Sequence, residues 1–334
     1  MILTDASTTR LVRTSALALE LVGRSAAIVR VQELVRRAAP RDGGVLLVAE
    51  PGADVESVAR DLHERTRRPV GPYEHVACAA DDPSRLDRLL FGAPSAPPPS
   101  DLEWASSDSR IAAACGGTVF LQDVVDMPAA LQARIARVAR DGEIRIDGRP
   151  VATNLRWIAS AAPGIEAEVH ANRFRSDLYR RLSTSRIDLP PLRDRAEDVP
   201  ALALRLLDDW CAARGGAART WTKPALALLS ALTWPGNVAE LRLVVERAAQ
   251  DVDRDVLHIE DVLPALRLDR APARFLPSGH LREARLRFER DYISSVLQYH
   301  GWRMAEAAHT LGIQRPNLYR KARQLGIPLT RPSE

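Results

Sequence analysis

The sequence predicts an α/β body whose parallel sheet is covered by helices on both faces, then an all-α subdomain, then a basic all-α unit at the C-terminus. Three observations carry this prediction. Short β-branched apolar runs alternate with helical periodicity as far as Pro190-Pro191, and that alternation is the mark of a parallel sheet. Beyond it, only helical spacing recurs up to Leu266. Leu281 to Glu334 then holds ten basic residues against five acidic ones, a local net of +5 in a chain whose formal charge is +4.

The elements follow in order. Ala26 to Ala39 has helical spacing, Gly43-Gly44 breaks it, and Val45 to Ala49 reads as a buried strand. A helix is expected over 54–67, a strand over 73–77, a helix over 83–90, a strand over 118–122, a helix over 128–139, and strands over 155–160 and 186–189. After the proline pair come helices alone, over 199–213, 223–232, 238–250 and 259–266. Arg267 to His280, with Pro272, Pro277 and Gly279, reads as a linker. Ala93 to Ser100 carries four prolines in eight residues, which favours extended backbone.

Composition narrows the function classes. The 334 residues, 46% hydrophobic and 27% charged, are those of a soluble multidomain protein, and no run approaches the 18 apolar residues of a membrane helix. Met1 to Gly23 mixes Arg, Asp5 and Glu20 and lacks the layout of a secretory leader. Cys78, Cys115 and Cys211 are too scattered for a disulfide framework or a zinc site, so reduced thiols in the cytoplasm, on the nucleoid, are expected. The seven histidines show no i, i+4 pair, and no metal site is expected. The scattered tryptophans, such as Trp157, Trp221 and Trp234, read as packing residues.

The basic unit has the layout of a helix-turn-helix. Leu281 to Tyr299 is amphipathic, Arg303 to Leu311 and Arg315 to Leu325 are two short helices, and Gly312 sits in the turn between them. Pro316 suits the first turn of the second helix, because its missing N–H has no partner to lose there. That helix offers Gln314, Arg315, Asn317, Arg320, Lys321 and Gln324 outward. Arginine matches the guanine edge, asparagine and glutamine match adenine, and the remaining cations suit phosphate. Double-stranded DNA is the partner that this face predicts. The string AEAAHTLGIQRPNLYRKARQLGI, Ala305 to Ile327, resembles the Fis-type module, and the resemblance implies a dimer through 281–299 that reads two half-sites.

Four more strings resemble the NtrC-type sigma-54 activators, the bacterial enhancer-binding proteins of the AAA+ class: Gly116 to Val124, Phe174 to Leu182, Leu189 to Pro200 and Trp234 to Ala248, with Gly23 to Ser25 ahead of them. The resemblance covers Gly23 to Ile327. It implies an AAA+-like domain over 23–190 behind an N-terminal tail at 1–22, a helical lid over 191–266, a linker over 267–280 and the DNA-binding unit over 281–329. With at most 22 residues ahead of the AAA+ part, it also implies a member without the usual sensory domain.

The positions that carry the family's chemistry differ in this chain. In Ala49 to Ser57 Gly52 is kept, but Asp54 and Val55 replace the second glycine and the lysine of a phosphate-binding loop. A carboxylate about 5 Å from a phosphate charge costs roughly 3 kcal/mol at an effective dielectric near 20. Gln122 and Asp123 replace the magnesium-binding Asp and the water-polarising Glu, and Ala162 and Ala239 replace the Asn and Arg that sense the γ-phosphate. The expectation is a degenerate nucleotide site with no catalytic residue, a chain that is not an enzyme, and no cofactor, neither ATP nor Mg²⁺. Arg175 and Arg181 match the arginine fingers, and they read equally as surface arginines paired with Asp177 or a neighbour's carboxylates.

Leu90-Phe91-Gly92 matches the approach to the family's sigma-54 contact loop, but the aromatic tip is missing from Ala93 to Ser100. The reading is therefore a DNA-binding transcriptional regulator whose AAA+-like body serves oligomerisation and protein contacts without remodelling sigma-54, with an intact paralogue or RNA polymerase as a further partner and no membrane. Two alternatives stand beside it: a subunit that tunes an intact activator in a mixed oligomer, and a divergent ATP-dependent sigma-54 activator.

Overall fold

The computed structural model describes residues 18–66, 71–79, 82–92, 102–250, 252, 254–269, 293, 297, 302, 304, 306, 308 and 315–325. The chain forms two compact units, residues 1–269 and 270–334, and each is taken by itself.

In the first unit Ser25 accepts the Ile28 N–H at 3.1 Å and starts α1, Ala26–Ala38. Then come β1, Val45–Val48; α2, Val55–Glu64; β2, Tyr73–Ala77; and α3, Pro83–Phe91, which opens on a proline behind the Asp82 cap. β3, Trp104–Ala105, and α4, Arg110–Ala113, lead to β4, Thr118–Gln122, and α5, Ala129–Asp141. The hairpin of β5, Glu143–Ile146, and β6, Arg149–Ala152, follows, then β7, Arg156–Ala161; α6, Ile165–His170; α7, Ser176–Leu182; and β8, Ser185–Asp188. The main sheet runs β2-β4-β7-β1-β8, with every neighbouring pair parallel.

The sheet separates two cores because successive strand side chains alternate sides. Val45 and Leu47 of β1, Phe120 of β4 and Ile158 of β7 pack toward α1 and α2. Leu46, Val48, Val119, Leu121, Trp157 and Ala159 pack on the other face with Leu131, Ile135 and Leu178 of α5 and α7. Arg156 is 1% exposed and joins the first layer. Its guanidinium donates to the carbonyls of Ala38, Ala39 and Leu62 at 2.9 to 3.2 Å, so one cation serves the C-terminal ends of both α1 and α2.

The rest of this unit is the lid: α8, Val199–Ala213; α9, Lys223–Ser230; α10, Asn237–Gln250; and α11, Ile259–Asp269, around Leu206, Trp221, Trp234, Leu241 and Val245. Two expectations change here. Residues 220–221 and 256–257 form a parallel strand pair, β9 and β10, where only helices were expected, since two residues are too few to show a period. α6 and α7 have no place in the element order read from the sequence, because Gly164 ahead of α6 and Asn172 and Arg173 between the two break the apolar spacing.

The second unit has its own small core of Ile293, Leu297, Met304, Ala308, Leu318 and Ala322. Its last helix is α12, Arg315–Gln324. Met304, Glu306 and Ala308 are helical, as the first arm of a helix-turn-helix requires. Of the expected linker 267–280, Arg267 to Asp269 continue α11, whose helical spacing runs past Leu266; residues 270–280, the turn at Gly312 and the segment Ala93 to Ser100 lie outside the described residues.

Candidate functional sites

The C-terminal ends of β1, β4 and β7 face a cavity of about 480 Å³, the place where an open parallel sheet offers a binding crevice. The loop after β1 forms one wall. Gly52 has φ 84°, and a Cβ there would lie 2.1 Å from the Gly236 carbonyl oxygen, so only glycine lets the loop meet the lid. The start of α10 braces the loop from that side. Ala239 N–H donates to the Gly52 carbonyl at 2.9 Å, and the buried Asn237 donates to the Pro51 carbonyl at 2.9 Å while accepting the Leu192 N–H.

Five of the residues expected at a nucleotide site, Gly52, Val55, Gln122, Asp123 and Ala162, line this cavity together. Ala239 does not line it, and serves through its backbone. Asp54 does not line it either. One of its carboxylate oxygens accepts the Ser57 N–H at 3.2 Å and caps α2, and the other stands 3.1 Å from Arg242 of the lid. Glu50 is likewise turned to a lid-side cation: both oxygens accept from Arg193 at 2.7 Å, which holds its carboxyl below the usual range. The Asp54 N–H donates to Glu20 at 2.8 Å. Glu20 is buried with Arg195, and desolvation raises its pKa against that guanidinium's pull.

On the opposite wall Asp123 has a left-handed backbone, φ 54°, and its N–H donates to Ser160 Oγ at 2.9 Å. Burial, then the neighbouring Asp126, raises its pKa. Glu20, Arg193, Arg195, Arg242, His75 and Asp126 escaped the sequence reading. They are charged or polar residues without periodic spacing, and only the folded chain sets the first four around the loop and its lid contacts, Asp126 on the opposite wall and His75 beside Gln122.

The cleft has the size of a nucleotide site. Its volume is within the range of ligand sites, and Glu50 to Ala53 of the loop and Val55, the first residue of α2, line it. The N–H groups of Ala53, Asp54, Val55 and Ser57 are bonded to Glu50, Glu20, Ala53 and Asp54. Among the described residues no arginine or lysine lines the cleft. Among the described residues no group of three or more His, Cys, Asp or Glu is placed to hold a metal ion. Magnesium shared with phosphate oxygens needs only one or two carboxylates, and Asp123 and Asp126 stand at the wall to supply them.

Arg175 and Arg181 are both exposed. Arg175 grips Asp177 with two hydrogen bonds, at 3.0 and 2.8 Å, and Arg181 donates to the Ala139 carbonyl at 3.0 Å. In the second unit, Arg315, Asn317 and Arg320 are exposed and Lys321 is half-exposed, while Leu318 and Ala322 of the same helix are buried. Arg320 donates to Asn317 Oδ1 at 3.3 Å, and the Arg315 guanidinium lies 5.7 Å from the Tyr319 ring centroid. Gln324 ends α12, and Gln314 lies outside the described residues.

Residues 21–188 match the sigma-54 interaction domain, residues 193–274 the AAA+ ATPase lid domain, and residues 285–325 the bacterial regulatory proteins of the Fis family. The chain belongs to the family of sigma-54 interaction domain proteins, in its NtrC-like form with an AAA+ lid and a Fis-type helix-turn-helix. It is similar to the nitrogen assimilation regulatory protein NtrX of Azorhizobium caulinodans, 34% identical over 322 residues that cover 92% of this chain and 69% of that one. The nitric oxide reductase transcription regulator NorR2 of Cupriavidus necator is 36% identical over 330 residues, covering 92% and 63%. The chain thus spans about two thirds of the length of these relatives. The crystal structure of Brucella abortus NtrX with ADP superposes with a TM-score of 0.63 at 30% identity, and that with ATP with 0.61 at 30%; each comparison covers 92% of this chain and 69% of the other.

These findings overturn two expectations, that the chain is not an enzyme and that it takes no cofactor. The family is one of ATPases, and the similar NtrX structures hold ADP and ATP. The physical error lay in placing the Asp54 carboxylate against the phosphates. It faces the Ser57 N–H and Arg242 instead and does not line the cavity. Among the described residues no helix is long and apolar enough to cross a membrane.

Proposed function

We propose that the chain is a sequence-specific DNA-binding regulator of transcription whose α/β body takes and hydrolyses an adenine nucleotide to govern its own assembly on DNA. The observation that carries the reading is the α12 face: Arg315, Asn317 and Arg320 stand exposed on a helix whose Leu318 and Ala322 are buried, within a Fis-family match. In the body, the cleft at the ends of β1, β4 and β7 takes the nucleotide, and Asp123 and Asp126 would hold the metal that accompanies its phosphates. Such a metal would supply the positive charge that no described lining side chain offers, and the exposed Arg175 and Arg181 of a second copy would add to it. Ala93 to Ser100 offers prolines and no aromatic tip, so nucleotide occupancy acts on assembly and polymerase contact and does not drive an aromatic wedge into a sigma-54 complex.

The test is a footprint on genomic fragments bound by the full chain, with and without ADP or ATP. A protected two-fold site whose occupancy changes with nucleotide is expected. Uniform, sequence-independent coverage in all conditions would refute the DNA reading, and equal footprints with and without nucleotide would refute the coupling.

A further inference from the structure

Glu20 belongs to the short 3₁₀ turn Leu19–Leu21 ahead of α1, and its side chain is buried. Oε2 accepts the Asp54 N–H at 2.8 Å, and Oε1 pairs with the buried Arg195 guanidinium, which also donates to the Glu20 carbonyl at 2.7 Å. Arg195 lies in Leu192–Asp198, the segment that leads into α8 and the lid. The chain around Glu20 is also anchored without this carboxylate. Asp198 accepts the Arg24 and Ser25 N–H groups at 2.7 and 2.9 Å and the Ser25 hydroxyl at 2.6 Å, and Gln32 donates to the Leu21 carbonyl at 2.8 Å. A loop that cradles phosphate does so with backbone N–H groups turned into the cavity. Here the Asp54 N–H meets a buried carboxylate that does not line the cavity. The bonds that take the Ala53 and Val55 N–H groups are local, to the Glu50 and Ala53 carbonyls at 3.3 and 3.0 Å. The bond to Glu20 reaches across 34 residues to an anion, and a charged acceptor makes it the strongest of the three.

We propose that Glu20 is an internal anion that competes with the nucleotide's phosphates for the Asp54 N–H and so sets how tightly the cleft takes a nucleotide. When phosphate enters, the Asp54 peptide turns to it, and the carboxylate is left to Arg195 alone, at the root of the lid. This inference rests on the reading of the cleft as a nucleotide site.

The test measures ADP binding by calorimetry to the full chain, to Glu20→Asp and to the double variant Glu20→Met, Arg195→Met. Glu20→Asp keeps the charge beside Arg195 but withdraws it by one methylene from the Asp54 N–H. The double variant removes both charges at similar volume and leaves no buried charge unpaired. Both are expected to bind ADP about tenfold more tightly, as the loss of one hydrogen bond to a charged acceptor allows. A carboxylate that only staples the fold gives equal or weaker binding in Glu20→Asp, and that result overturns the proposal. If urea unfolding shows that the double variant does not fold, Glu20→Asp decides alone. In the unmodified protein labelled with nitrogen-15 aspartate, the Asp54 amide resonance moves on saturation with ADP, as the N–H exchanges carboxylate for phosphate. An Asp54 resonance that ADP leaves in place overturns the proposal, whatever the affinities do. If the unmodified protein binds ADP and Glu20→Asp binds it no better, the proposal falls and the nucleotide reading stands; if neither the unmodified protein nor either variant binds ADP, both fall together.

Discussion

The Asp54 carboxylate stands 3.1 Å from the Arg242 guanidinium, so the acidic residue in the phosphate loop is tied to the lid and kept out of the cavity. Removing the arginine leaves the capping bond to Ser57 but frees one carboxylate oxygen to act on whatever anion enters. Arg242→Ala is expected to weaken binding of a fluorescent ADP analogue about threefold while stability changes by less than roughly 0.5 kcal/mol, as suits a pair with a 46% exposed arginine. Tighter binding by this variant would mean that Arg242 does not shield the loop.

Val55 opens α2 and lines the cavity, so a cation placed there meets phosphate directly. Val55→Lys is expected to bind ADP about tenfold more tightly, a gain near 1.4 kcal/mol that is well under the bare Coulomb term and allows for desolvation of the ammonium. Isothermal calorimetry measures it. An affinity equal to that of the valine protein would show that the bound phosphates lie away from this helix terminus.

Much of this architecture is legible in the sequence. The runs at 45–48 and 118–122 are mostly apolar, short and bounded by turns, and the structure places both in the sheet. Gly52, Val55, Gln122, Asp123 and Ala162 were found by their places in ordered motifs, and the fold gathers all five. What the sequence does not carry is direction. Asp54 is an acid in a phosphate loop by position, and only the approach of α10 shows that its charge points to Arg242. Nor does any spacing link His75 to Gln122, 47 residues away, until β2 and β4 pair. Charge counted along a chain misleads wherever a partner from another layer cancels it.

Arg156 tests how the α/β layer is held. Its side chain is buried and bonds three carbonyls that end α1 and α2, so Arg156→Met keeps most of the volume and strands those acceptors. A loss of about 3 kcal/mol in urea unfolding is expected, from the unsatisfied carbonyls and the missing charge at two helix C-termini. A loss below 1 kcal/mol, on the order of one ordinary hydrogen bond, would mean that water replaces the guanidinium.

The α12 face predicts two different losses from two arginines on one helix. Arg315 opens the helix, where a recognition helix approaches base edges, while Arg320 lies more than a turn further on and is steadied by Asn317 at 3.3 Å. Arg315→Ala is therefore expected to relax base preference at one position of each half-site, a discrimination of about 1 to 3 kcal/mol, with the salt dependence little changed. Arg320→Ala should weaken binding to every sequence alike and reduce the slope of log K against log salt by about 0.9 per half-site, as when one phosphate is no longer neutralised. Competition binding across base-substituted sites at several salt concentrations separates the two. If Arg320→Ala changes base preference and Arg315→Ala changes only the slope, the helix lies in the groove with the opposite polarity, because the end that reads bases would then be the end that was assigned to the backbone.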